Sequence, residues 1–142
     1  MSTYPDRCAL SIERRTIPGE RPDQVAAEVD ELCDRVRLAH PGFDASVKMT
    51  LAQAPSDVSI DAPIVGAMST ALEKCGVTRR VEGMTAWTDA AILNDAGIPA
   101  ICFGPGDIGL AHSAEEYVPV AEIEAATRVL AELALSWTQS SG

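Results

Sequence analysis

Apolar and polar positions alternate with two different periods along this chain. From Arg7 to Arg15, Cys8, Leu10 and Ile12 alternate with Ala9, Ser11 and Glu13, a period of two that predicts a strand. Pro18 and Gly19 then turn the chain. From Pro22 the period changes. Val25, Val29, Leu32, Cys33 and Val36 lie at helical spacing, and Glu28, Asp30, Glu31, Asp34 and Arg35 cover much of the remaining surface. Pro22 suits a first helical position, Asp23 places charge of the right sign there, and His40-Pro41-Gly42 ends the run. Residues Phe43 to Leu51 alternate again, with Ala45, Val47, Met49 and Leu51 on one face. That predicts a sheet wet on its other side.

The second half reads differently. Asp61 is a plausible N-cap for a helix carrying Ile64, Val65, Met68, Ala71, Leu72 and Cys75, with Gly76 at its end. Val77 to Val81 predicts a short strand. Thr88 and Asp89 head a short helix that Gly97 terminates. Ala100 to Phe103 is apolar without alternation, which predicts a strand covered on both faces. Gly104-Pro105-Gly106 breaks it, and residues Ala121 to Trp137 predict a last helix. The expected fold class is therefore α/β, in two part-domains: a β-α-β open-faced sheet over residues 1–57, and an αβαβα segment over residues 58–142.

Composition narrows the partners. The 142 residues are 46% hydrophobic and 23% charged, as in globular proteins, and only 4% aromatic, so any core must be aliphatic. A net charge of -10 and a pI near 4.5 repel phosphate backbones and argue against nucleic acid. No apolar run approaches the roughly 20 residues of a membrane helix. The first residues, MSTYPDRC, lack signal-peptide architecture, which predicts a cytoplasmic location. Cys8, Cys33, Cys75 and Cys102 are widely spaced within apolar patterns and read as buried free thiols rather than zinc-finger ligands.

Chemistry concentrates between Gly83 and Val118. His112 follows a predicted strand and a Gly-rich loop, where ligand sites of open α/β sheets lie. An imidazole there can bind zinc, act as acid or base, or merely cap. Glu115 and Glu116 follow; either can orient the histidine or favour the dipole of the next helix. Asp89 suits an N-cap or a ligand contact. Arg14 and Arg15 can grip a carboxylate or lie solvated against the acidic helix, with opposite facings if the strand forms. His40 reads as a turn residue. A catalytic zinc site needs at least three protein ligands, and before Gly83 there is no H-x-D, no H-E-x-x-H and no Glu-Glu pair near a histidine.

PDRCALSIERRTIPGE, together with Thr88-Asp89, Gly97-Ile98-Pro99, Gly104-Pro105-Gly106 and Ala111-His112 followed by Glu116, resembles the zinc-dependent aminoacylase and carboxypeptidase family. That family includes acetylornithine deacetylase, succinyl-diaminopimelate desuccinylase and the glutamate carboxypeptidases. The resemblance covers essentially the whole chain in order. It implies that His112 is the last metal ligand, that Glu116 is the downstream glutamate supporting it, and that Arg15 holds a substrate carboxylate. Thr88 and Asp89 would line the substrate pocket. Glu13 stands where the family has Asp, and Ser2 where it has Asn.

The resemblance further implies two zinc ions per complete site, with cobalt possible, and attack of metal-activated water on the amide of an N-acyl amino acid or small peptide. The family's His-x-Asp, bridging Asp, Glu-Glu pair with the general base, further acidic ligand and lid histidine have no counterpart here. The chain thus looks like the second half of a lid, or dimerisation, domain (1–57) joined to the C-terminal segment of a catalytic domain (58–142). Alone it is expected to bind zinc weakly and to hydrolyse nothing. A truncated gene, a misplaced start and a split enzyme all fit. The expected partners are the acyl substrate, a second copy, or a chain carrying the missing half. The alternative is a non-catalytic interaction module.

Overall fold

The computed structural model describes residues 5–139, so Ser2, where the resemblance expects asparagine, lies outside the described residues. The chain divides into two compact units, Met1–Pro55 and Ser56–Gly142.

In the first unit, Ile17-Pro18-Gly19-Glu20 makes a turn with Gly19 at φ 96°, closed by the Glu20 amide on the Ile17 carbonyl at 3.1 Å. The Glu20 carboxylate braces that turn. It accepts from the Ile17 amide at 2.9 Å and from Arg14 at 2.6 Å. Helix α1 follows at Pro22–Ala39, with proline in its first turn and the Gln24 side chain accepting from the Arg21 amide at 3.0 Å. The predicted stripe exists, and Val25, Val29, Cys33 and Val36 are half-buried. None of the helix's residues is fully buried, and Leu32 stays half exposed.

The second unit has the core. Helix α2, Pro63–Lys74, packs against the C-terminal helix. Taken in order, α2 is followed by the single-turn-and-a-half α3 (Ala90–Asp95), a 3-10 turn (Ile108–Leu110) and α4 (Val120–Gln139). Met68, Ala71 and Leu72 of α2 meet Val129 of α4, which is fully buried. Cys75, Val77, Ile101, Phe103 and Leu133 close around them. Lys74 reaches Glu132 at 2.6 Å across the same pair of helices. Gly76 and Gly97, at φ 67° and 77°, end α2 and α3 in the left-handed conformation expected of C-terminal glycines.

Three expectations are corrected. No strand is assigned among the described residues, so the segments at 7–15, 43–51, 77–81 and 100–103 do not form the expected ladders. Alternation marks which side chains share a face; it does not supply the partner backbone that a ladder requires. Next, the segment at 100–103 is not covered on both faces. Ile101 and Phe103 turn to the core while Cys102 is exposed. Last, none of the four free thiols is buried: Cys8 and Cys102 are exposed, Cys33 and Cys75 half-buried. A smaller difference is that Ala62, not Asp61, holds the N-cap of α2.

The accessible surface is 11730 Å². Two independent compact globules sharing these residues would expose roughly 8,500 Å². Large apolar side chains are among the exposed ones, including Leu10, Ile12, Leu51, Ile92, Val120 and Leu135.

Candidate functional site

The loop from Gly104 to Pro119 is built almost wholly from short-range backbone closures. Asp107 accepts from the Gly109 amide at 2.8 Å and so caps the 3-10 turn. Amides of Leu110, Ala111 and Ser113 then return to the carbonyls of Asp107, Ile108 and Leu110. These closures bring the chain to His112 in the left-handed region, at φ 65°. A non-glycine residue there costs on the order of 1 kcal/mol and needs local support. Glu116 gives it: its Oε2 accepts from the His112 amide at 2.8 Å.

The two residues of the A-H-x-x-x-E pattern are thus in contact, but through the backbone of the histidine. The carboxylate supports the backbone where the chain turns, and His112 itself is exposed. Glu115 makes a different contact, its amide donating to Ser113 Oγ at 3.3 Å.

The other candidate residues are placed as follows. Thr88 is half-buried, with its hydroxyl 3.2 Å from the Cys102 sulfur. Asp89 is the N-cap residue of α3, yet its side chain makes no capping hydrogen bond and is exposed. Arg15 belongs to the first unit, where its Nε lies 3.2 Å from Glu13, the residue standing in the family's Asp position. Arg14 is committed differently, to Glu20 at 2.6 Å and Glu28 at 3.2 Å, as the solvated-pair reading of the acidic helix anticipates. Two shallow grooves, of about 400 and 310 Å³, are lined by residues such as Arg14 and Glu28 and by Ser69 and Arg79; neither includes His112.

Two residues that the sequence reading passed over also shape this unit. Asn94 uses both ends of its amide on Ala100, at 2.7 and 2.9 Å, and reaches Ser56 Oγ at 2.7 Å. It therefore ties α3 to the start of the 100–103 segment. Glu122, in the first turn of α4, accepts from the Gly106 amide at 2.9 Å. No local motif announces the longer of these contacts: Gly106 and Glu122 are 16 residues apart, and Asn94 reaches 38 residues back to Ser56.

A zinc centre is not self-contained in these residues. Among the described residues no three His, Cys, Asp or Glu side chains gather in a metal-holding group. His112 supplies one nitrogen donor, and a catalytic zinc normally takes three protein ligands.

Sequence comparison gives the class: residues 5–136 match peptidase family M20/M25/M40, and the chain belongs to that family. Its members are in general metal-dependent, and membership fits the α/β class expected from the sequence. Among similar proteins are an acetylornithine deacetylase of Myxococcus xanthus, 29% identical over 92% of this chain, and a putative succinyl-diaminopimelate desuccinylase of Mycobacterium tuberculosis, 32% identical over 91%. A third is the N-formyl-4-amino-5-aminomethyl-2-methylpyrimidine deformylase of Bacillus subtilis, 28% identical over 93%. The chain spans 33%, 33% and 34% of these three proteins, about a third of each. No helix among the described residues is long and apolar enough to cross a membrane.

Proposed function

We propose that this chain is part of an amidohydrolase that removes an acyl group from nitrogen. The names of the three relatives share that reaction: a deacetylase, a desuccinylase and a deformylase. The observation that carries the reading is the supported left-handed turn at His112, which holds an exposed imidazole at the end of a glycine-rich loop. In this reading His112 is a zinc ligand, and the remaining ligands and the general base come from outside the described residues. Glu116 fixes the turn, Arg15 exchanges its Glu13 contact for a substrate carboxylate, and Thr88 and Asp89 line the acyl-amine pocket. Residues 1–57 are half of a lid domain, and residues 58–142 are the C-terminal segment of a catalytic domain. The location is cytoplasmic.

The test is hydrolysis of N-acetyl, N-succinyl and N-formyl amino compounds by the protein purified from its native source, with zinc or cobalt supplied. Activity that disappears in His112→Ala supports the reading. Equal activity in that variant refutes it.

A second reading is favoured by the surplus accessible surface of the 11730 Å² total. The large apolar side chains exposed in it favour association, so the chain would serve as a module that pairs with a second copy or with a partner chain. Sedimentation separates the two readings. Association that survives His112→Ala, while zinc uptake falls, assigns His112 to metal and the apolar faces to assembly.

A further inference from the structure

We propose that Glu122 is a positioning residue that latches the His112 loop to the core of the second unit. The loop leaves the 100–103 segment at Gly104 and returns at Pro119, directly before α4. Its two ends meet at Gly106. That residue stands at φ 93°, a conformation that favours glycine, and a Cβ there would come within 3.1 Å of the Val118 side chain, which would have to give way. At the same point the Gly106 amide donates to Glu122 Oε2 at 2.9 Å.

Glu122 is well suited to hold it. Its own amide returns to the Pro119 carbonyl at 3.0 Å, which sets it in the first turn of α4. Four and seven residues further on, Ala126 and Val129 are buried, and Val129 sits in the cluster with Met68, Ala71 and Leu72. The carboxylate is therefore carried by a helix that the core anchors. The remaining side-chain-to-backbone ties in the loop, Asp107 to Gly109, Ser113 to Glu115 and Glu116 to His112, are internal to it. They give the loop its shape but do not fix it to α4; the Glu122 contact does. A charged acceptor on a backbone donor is also the stronger kind of hydrogen bond.

The bland role for the same carboxylate is to favour the dipole of α4 at its N-terminal end. The two roles separate in amide hydrogen exchange on the full 142-residue chain. The latch predicts that Glu122→Ala speeds exchange of the Gly106 amide by about tenfold or more, that of His112 by less, and that of Val129 hardly at all. It predicts that Glu122→Gln, which keeps an oxygen acceptor but not the charge, restores most of the Gly106 protection. Dipole stabilisation alone would loosen the α4 amides, with Gln no better than Ala. That pattern overturns the proposal, as does a parent Gly106 amide that already exchanges at the free-peptide rate. The value of the latch for metal binding rests on the reading of His112 above; the latch itself does not. His112→Asn, which tolerates the left-handed turn, should leave Gly106 protection unchanged. If zinc uptake is indifferent to His112 while Gly106 still depends on Glu122, the proposed function falls and the latch stands.

Discussion

Helices α1 and α4 are similar in length, 18 and 20 residues, and both carry a clear apolar stripe. Their fates differ. Helix α4 buries Ala126 and Val129, while α1 buries nothing fully. The difference lies in the partner. Helix α4 meets α2, whose Met68, Ala71 and Leu72 present an equally apolar face. Helix α1 lies in a unit whose described segments form no strand, and their Leu10, Ile12 and Leu51 remain more than two-thirds exposed, at 80%, 73% and 75%. A stripe states what a helix needs to cover. Stability comes when a second element of matching shape covers it.

That contrast is broken most severely at the centre of the α2–α4 contact. Leu72→Ala is expected to destabilise the second unit by about 3 kcal/mol through lost burial and the cavity left behind. The matching change in α1, Val29→Ala, should cost less than about 1 kcal/mol, since its site is already half open to water. Urea unfolding followed separately by Trp87 or Trp137 emission for the second unit, and by far-ultraviolet dichroism for the helices, would measure both. Equal losses would mean that α1 is as well packed as α4.

Gly106→Ala comes next. It combines a left-handed φ of 93° with an approach of 3.1 Å to Val118, and about 1–2 kcal/mol of destabilisation is expected. The same denaturation series reads it. Lys74→Ala removes the 2.6 Å link to Glu132, a pair that is partly solvent-screened at 55% and 29% side-chain exposure. Its expected cost is about 0.5 kcal/mol, falling further in high salt.

The smallest effect belongs to the first unit. The hydrogen bond from Arg21 holds the Asp23 carboxyl below its ordinary value, and the same contact raises Arg21. Because the folded value is the lower one, the contribution of Asp23 to α1 is present above the unfolded carboxylate's value. It fades as the pH drops through the depressed one. Arg21 stays charged throughout that range. A carboxyl carbon titration of Asp23 by NMR should move back toward the ordinary value in Arg21→Ala, with little change in helix content.

The helices were legible in the sequence because their signals are local. Pro22 and His40, Gly76 and Gly97 mark ends that the structure reproduces to within about two residues, and four of the stripe positions of α2, Val65, Met68, Ala71 and Leu72, are buried, with Ile64 and Cys75 half-buried. The lack of strand ladders among the described residues was not legible in the same sense. Period-two runs at 7–15 and 43–51 name a face, whereas a ladder depends on neighbours that no run encodes. The site divides in the same way. The contact of His112 with Glu116 spans four residues and was readable as a motif, though not that the carboxylate would hold the backbone amide. The Glu122–Gly106 and Asn94–Ser56 contacts needed the fold, and so did the pairing of Thr88 with Cys102.

The central claim is that His112 holds metal in a site completed from outside the described residues. The most direct measurement is the zinc content of the protein purified from its native source, in parent and His112→Ala forms, with unfolding checked in parallel. The expected result is bound zinc in the parent and a clear loss in the variant, with the melting profile retained. Equal zinc in both folded proteins, or none in either, would contradict the assignment.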